Sequence, residues 1–403
     1  MTTTTTAAPP ATRSQVRVLV VACLILFVDG YDLFTVGTIG PSLLRDPSWG
    51  ATGSTLGTLG AATALGMPLG SVLAGSGADR WGRRTPMVVA VTWISATMLV
   101  SAIVPNLNSL VAVRFCTGIG IGALVPLVSA YVTDGAPARR RTLHLAIALG
   151  SMGVGGAASA LLGRLILPGH HFQTVFLIGA LSIILVPFIW SIVPANAVGR
   201  TSERERMTSL FVPSSRRATV LFWIAAFMSM ALVYSTTAWL PTVMIKNGYN
   251  LNSSLEFLIA FTIGASFGSM AMAVFADRGY LKFVTFGLFA LSAVAMLVLS
   301  SNQPRPLLLV VSALAGLGSL GCQGMVIAYI SAFYAKRNRA TSLGLALGVG
   351  RIGAIVGPLY LSVVTATIAS PRAGFYGFMV PAIFGAVAVV FLPRLRATAA
   401  DQG

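Results

Sequence analysis

VRVLVVACLILFVDGYDLFTVGTIGP, residues 16–41, is an apolar run long enough to cross ~30 Å of hydrocarbon as one helix, which takes about 20 residues. It is longer than the apolar core of a secretory leader and has no clear small-residue cleavage site, so it reads as a retained membrane span. Two carboxylates interrupt it. Asp29 and Asp32 lie roughly 18 and 22 Å from its start at about 1.5 Å per residue, which puts them at the bilayer midplane and just beyond. Spaced i, i+3, they share one helix face. Two carboxylates in a low dielectric cannot both ionise easily, so at least one is expected to hold a proton at neutral pH.

Similar runs fill the rest of the chain. They fall near 54–75, 86–104, 107–132, 143–167 and 173–193. After a polar stretch come six more, near 218–243, 253–276, 283–301, 306–333, 342–367 and 374–393. The expectation is an all-α polytopic membrane protein of twelve helices in two six-helix bundles, 16–194 and 218–393. A linker at 195–217, rich in arginine, joins them, and short tails run over 1–15 and 394–403. The Thr, Ala and Pro of the first tail are too poor in large apolar groups to pack, and disorder is expected there.

Composition agrees. Of 403 residues, 56% are hydrophobic and only 9% charged, against about 25% charged in a soluble domain. The net charge of +17 would suit a nucleic-acid binder on composition alone, but the basic residues lie in a thin rim between spans. With both termini inside, the outer loops hold only Arg45, Lys246, Arg305 and Arg372. Lys and Arg gather on the cytoplasmic side, so the termini are expected there. Cys23, Cys116 and Cys322 sit within apolar runs without CxxC spacing, so neither a disulfide nor a metal site is expected. No HExxH, GxSxG or P-loop pattern occurs, and no enzyme or cofactor is expected.

The halves repeat. ADRWGRR at 78–84 and the weaker ADRGYLK at 276–282 are 198 residues apart, as are GSMGVGG at 150–156 and GVGRIGA at 348–354. Parallel six-helix repeats are the plan of a carrier that rocks about a midplane site.

Few charges enter the spans. Arg114 lies near the depth of Asp32 and Arg351 near that of Asp29, so both can pair with the acids, and an arginine left unsatisfied offers a forked donor to a carboxylate. Arg164 is expected to snorkel outward. Ser253-x-x-Glu256 reads as a capping box. Tyr31, Phe34, Tyr234, Trp239, Tyr329 and Tyr360, with Gln323, are candidates to line a cavity for a planar ligand, although helix cores and membrane interfaces use aromatics as freely. The glycines of GMPLG at 66–70 and GIGIG at 118–122 permit close helix packing.

GSGADRWGRR at 75–84 resembles the signature loop of the major facilitator superfamily. Within it, DGYDL at 29–33, RFCTGIGIGALVP at 114–126, YSTTAWLPT at 234–242, GCQG at 321–324 and RATSLGLALGVGRIGAIVGP at 339–358 resemble the aromatic acid:proton symporters. That resemblance implies proton-coupled uptake of a benzoate-type or hydroxybenzoate-type anion across a bacterial cytoplasmic membrane, by a monomer with no partner beyond substrate, protons and lipid. It implies that Asp29 and Asp32, the expected proton-coupling pair, are needed for transport, and that Arg114 and Arg351 belong to the binding or coupling region, where Tyr234, Trp239 and Gln323 are the candidates expected to join them in binding substrate. Gly75, Asp79, Arg80, Gly82, Arg83 and Arg84 would form a gating loop, joined by Asp134 where the family usually has glutamate. A carrier for another organic acid and a drug/proton antiporter are the alternatives. Against the antiporter, span five lacks a Gly-x-x-x-Gly-Pro pattern.

Overall fold

The computed structural model describes residues 13–135, 141–194, 213–275, 280–334 and 336–393, and the regular structure among them is entirely helical. The first half comprises α1 (Arg13–Arg45), α2 (Gly53–Trp81), α3 (Arg84–Ile103), α4 (Leu107–Gly135) and α5 (Arg141–Ile166). Its sixth span is α6 (Gln173–Ala180), a 3-10 turn over Leu181–Ile184, and α7 (Leu185–Ile192). The second half comprises α8 (Pro213–Lys246), α9 (Leu251–Phe275), α10 (Leu281–Leu299), α11 (Arg305–Phe333), α12 (Lys336–Thr367) and α13 (Ala373–Phe391). Among the described residues, eleven helical segments are long and apolar enough to cross a membrane. The 25-residue α9, with Glu256 as its one charge, completes the twelve. The expected linker lies outside the described residues from 195 to 212, as do 1–12, 394–403, 136–140 and 276–279.

Glycine decides which helices touch. A Cβ at Gly66 of α2 would lie 2.2 Å from the Phe115 carbonyl of α4, and one at Gly118 of α4 would lie 2.0 Å from that of Thr63. In the second half, a Cβ at Gly264 of α9 would collide with the Ala313 carbonyl, and one at Gly316 of α11 with that of Phe261. A Cβ at Gly155 of α5 would likewise collide with Phe27 O of α1, and one at Gly353 of α12 with Phe227 O of α8. The glycines pair as 66 with 264, 118 with 316 and 155 with 353, each 198 residues apart. The offset found in the sequence is therefore a repeat of helix–helix docking. Apolar side chains gain little by leaving lipid for protein, so backbone contact is what holds such helices together.

The α2–α3 loop marks one end of the molecule. Close approaches between the halves run from about mid-depth to the opposite, far end. A Cβ at Gly37 of α1 would lie 1.9 Å from Thr237 O of α8, and one at Gly57 of α2 would lie 3.0 Å from Pro358 O of α12. Along the same face of α12 toward the loop end, Gly344 and Gly348 have nothing within 4 Å. Among the described residues the halves are thus joined toward the far end, and α12 stands clear of neighbours at Gly344 and Gly348.

An ion cluster reinforces the joined end. Glu256 of α9 accepts from Arg164 of α5 at 2.8 Å and also from Arg305 of α11. This corrects two expectations from the sequence. The Ser253 N–H is capped by Asn250 Oδ1 at 2.8 Å, which leaves the Glu256 carboxylate free to bridge the halves. Arg164, given a carboxylate within reach, pairs with it instead of extending to the lipid surface.

Glu256→Gln is expected to loosen the far end. At this exposure each ion pair is worth about 1 kcal/mol or less, or up to about five-fold in the population of a far-end-open state. With the three native cysteines replaced by serine, a cysteine at Ser362, buried against Gly57, should react with maleimide several-fold faster once Glu256→Gln is added. An unchanged rate would show that the cluster does not hold the halves together.

Candidate substrate and proton site

Asp32 and Arg114 form a closed ion pair inside the first half. Arg114 Nη1 lies 2.8 Å from Asp32 Oδ1, and both side chains are fully buried. The second guanidinium nitrogen donates to Ser101 Oγ at 2.9 Å and reaches Met98 Sδ at 3.5 Å. The Phe176 ring lies 4.8 Å from the guanidinium carbon. The depth arithmetic that matched Arg114 to Asp32 thus corresponds to a direct contact. Arg114 is enclosed by α1, α3, α4 and α6 and turns no donor outward.

Asp29 is arranged differently. It is fully buried, and neither carboxylate oxygen has a hydrogen-bond partner among the described residues. The adjacent Gly30 lets α5 pack against this turn, since a Cβ there would collide with Met152 O. An ionised carboxylate without a donor is the costliest group to bury. Asp29 lies within electrostatic reach of Asp32 and Arg351, yet no ion pair within 4.0 Å joins it to either.

Arg351 stands where the halves meet. Its Nη1 donates to the Tyr234 hydroxyl of α8 at 3.2 Å and lies against Met67 Sδ of α2. The Tyr234 hydroxyl in turn reaches Met67 Sδ at 3.2 Å. Arg351 is half-buried, and of its five N–H donors only those on Nη1 have partners among the described residues. It is a cation held by neutral, weak acceptors, with donors left for an incoming anion.

The other candidates are scattered. Trp239 is fully buried with Nε1 unpartnered, and its ring packs toward Gly53 at the joined end. Gln323 is half-buried on α11. No hydrogen bond joins either to Arg351 or to the aspartates among the described residues. Tyr31 is committed to Val175 O at 2.9 Å and Tyr329 to Pro393 O at 2.7 Å, so both serve the packing of their own half. Phe34 lies in the core, and Tyr360 is half-buried on α12.

At the loop end, Gly82 takes φ +72°, a conformation that favours glycine, and so turns the chain from α2 into α3. Gly75, expected in the same loop, lies instead inside α2 with open space around it. Buried Arg83 donates to Ala130 O of α4 at 2.9 Å. Arg84 stacks 4.2 Å over Trp190 of α7, and Arg80 lies 5.4 Å over Trp81. Asp79 is exposed and makes no ion pair among the described residues. Asp134 falls in the last turn of α4, and its side chain lies outside the described residues. Also among the described residues, no group of acids, histidines and cysteines is placed to hold a metal ion.

The sequence profile of the major facilitator superfamily matches residues 22–265 and 257–403. The chain belongs to this superfamily. It is a multi-pass membrane transporter and not an enzyme. It is 29% identical to the benzoate transport protein of Acinetobacter baylyi, over 94% of this chain and 90% of that protein. It is also 29% identical to the gentisate transporter of Corynebacterium glutamicum, over 95% and 89% of the two, and to the 4-hydroxybenzoate transporter PcaK of Pseudomonas aeruginosa, over 87% and 86%. Among solved structures, the D-xylose-proton symporter aligns over 94% of this chain and 97% of its own at 15% identity and a TM-score of 0.73. An inward-facing bacterial homologue of the human lysosomal transporter Spinster aligns over 95% of both at 16% identity and a TM-score of 0.69. These two share the fold.

The aspartates should differ in what their amides cost. Asp32→Asn strands a buried guanidinium and is expected to remove about 3–5 kcal/mol of stability, seen as a marked fall in melting temperature in detergent. Asp29→Asn breaks no hydrogen bond and should melt close to the parent. Equal melting of the two variants would contradict the difference in pairing.

Proposed function

We propose that the chain is a proton-coupled importer of a small aromatic carboxylate, of the benzoate or hydroxybenzoate kind, in the cytoplasmic membrane of a bacterium. The observation that carries this reading is Arg351, a half-buried cation between the halves, beside a buried carboxylate that it does not touch. The excess of basic residues on the α2–α3 loop side supports a cytoplasmic position for that side, with the clear stretch of α12 at Gly344 and Gly348 toward the inner end. The substrates named for the relatives supply the aromatic acid.

Asp29 is the proton carrier. With the far end open, Asp29 takes a proton from outside and ceases to compete for Arg351, and the guanidinium becomes free to take the substrate carboxylate in a two-pronged contact. Proton and anion together leave the site no more charged than it was, so the halves close over it without burying an unpaired charge. At the inner end, loss of the proton returns the negative charge to Asp29, which competes again for Arg351 and favours release. Asp32, tied to Arg114, keeps the first half together and carries no proton in the cycle. Arg80, Arg83, Arg84 and Asp79 act at the inner end, where the loop would close against the second half in the outward-facing state.

The test is uptake into proteoliposomes with and without an inward proton gradient, using benzoate, hydroxybenzoates, phenylpropionates and aliphatic acids. Aromatic acids should accumulate only with the gradient. Asp29→Asn should still exchange labelled for unlabelled substrate but fail to concentrate it. Accumulation by that variant would refute the proton assignment, and accumulation of aliphatic acids alone would refute the substrate class.

A further inference from the structure

GMPLG at 66–70 has a role beyond packing. Gly66 and Gly70 dock α2 onto α4, where Cβ atoms would lie 2.2 Å from Phe115 O and 1.8 Å from Ile119 O. A Cβ on Gly122 of α4 would lie 2.0 Å from Met67 O, so the Met67 backbone is pressed against that helix. Ser71 Oγ fastens the same turn, donating to Met67 O at 3.1 Å and to Gly122 O at 2.7 Å. From this fixed backbone the buried Met67 side chain crosses to the second half, and its sulfur accepts from both Arg351 and Tyr234.

We propose that Met67 is a positioning residue for the substrate arginine. Its thioether holds Arg351 in waiting between the halves and yields it to a carboxylate. This rests on the reading of Arg351 as the substrate's anchor. The residue type fits the task. A thioether is a weak, polarizable acceptor on a flexible chain, so it orients a guanidinium yet loses to a carboxylate, whose charged hydrogen bonds are roughly twice as strong as neutral ones. An acid at 67 would hold Arg351 permanently. A hydrocarbon would leave it with the Tyr234 hydroxyl and the ionised form of Asp29. Met67 lies on the opposite half from Arg351, so the contact spans the α2–α12 seam near mid-depth.

Two substitutions separate this from simple packing. Met67→Leu keeps the volume and removes the acceptor, and Met67→Gln supplies a stronger neutral acceptor. With benzoate as the probe, Met67→Gln should raise KM about five- to tenfold with kcat little changed, because the amide competes with the carboxylate. Met67→Leu should match the parent KM at acid pH, where Asp29 is protonated, and exceed it several-fold at alkaline pH, where Asp29 captures the arginine. A ligand-free measurement stands beside these. In a double-mutant cycle of Met67→Leu with Arg351→Gln, melting shifts should fail to add by about 2 °C or more. Additive shifts, or an unchanged KM in Met67→Gln, would overturn the proposal. If the parent protein binds no aromatic acid at all, the substrate reading fails, and the cycle still decides whether Met67 holds Arg351.

Discussion

A charge carried into hydrocarbon must be paired, shared or removed by a proton, and this protein uses all three arrangements. Asp32 and Arg114 pair through one oxygen and one nitrogen and are closed off by Ser101, Met98 and Phe176. Glu256 is shared between two arginines across the halves. Asp29 has no partner for either oxygen among the described residues, and in such a place a proton is the remaining way to lower the cost of the buried group. The rest of the molecule can be understood as scaffolding that keeps these three arrangements distinct.

That scaffolding is symmetric, and its chemistry is not. Glycines 198 residues apart dock equivalent helices in the two halves, yet the same offset from Arg114 falls on Ser312, and the one leading back from Arg351 falls on Gly153. Ser312 spends its hydroxyl on Phe257 O at 2.7 Å, and Gly153 packs against Ser266 of α9. Each charge of the site is therefore a departure from the repeat. Two similar halves can rock about a common axis while presenting different groups to whatever lies between them.

Much of this was legible in the sequence. The apolar runs set the spans, depth arithmetic brought Arg114 to Asp32, and the repeated Gly-rich segments gave the offset that the docking contacts obey. Two kinds of contact were not legible. Glu256 looked like part of a helix cap because Ser253 precedes it by three, and only the fold brings Arg164 and Arg305 to it from distant helices. Met67 carried no chemical signal at all, since methionine inside an apolar run is ordinary core. Its glycine neighbours marked close packing without saying that a sulfur would reach across the interface. Depth can be counted along one helix, whereas the rotation that turns a side chain toward another half cannot.

The sharing of Glu256 has a further consequence. Two guanidiniums against one carboxylate leave an odd positive charge, so this cluster is never electrically neutral, whether the halves there are together or apart. A permanent cation at that entrance raises the local concentration of anions and repels cations before any binding occurs. The selection of a negatively charged solute can thus begin at the mouth, by sign alone, ahead of any recognition of shape within.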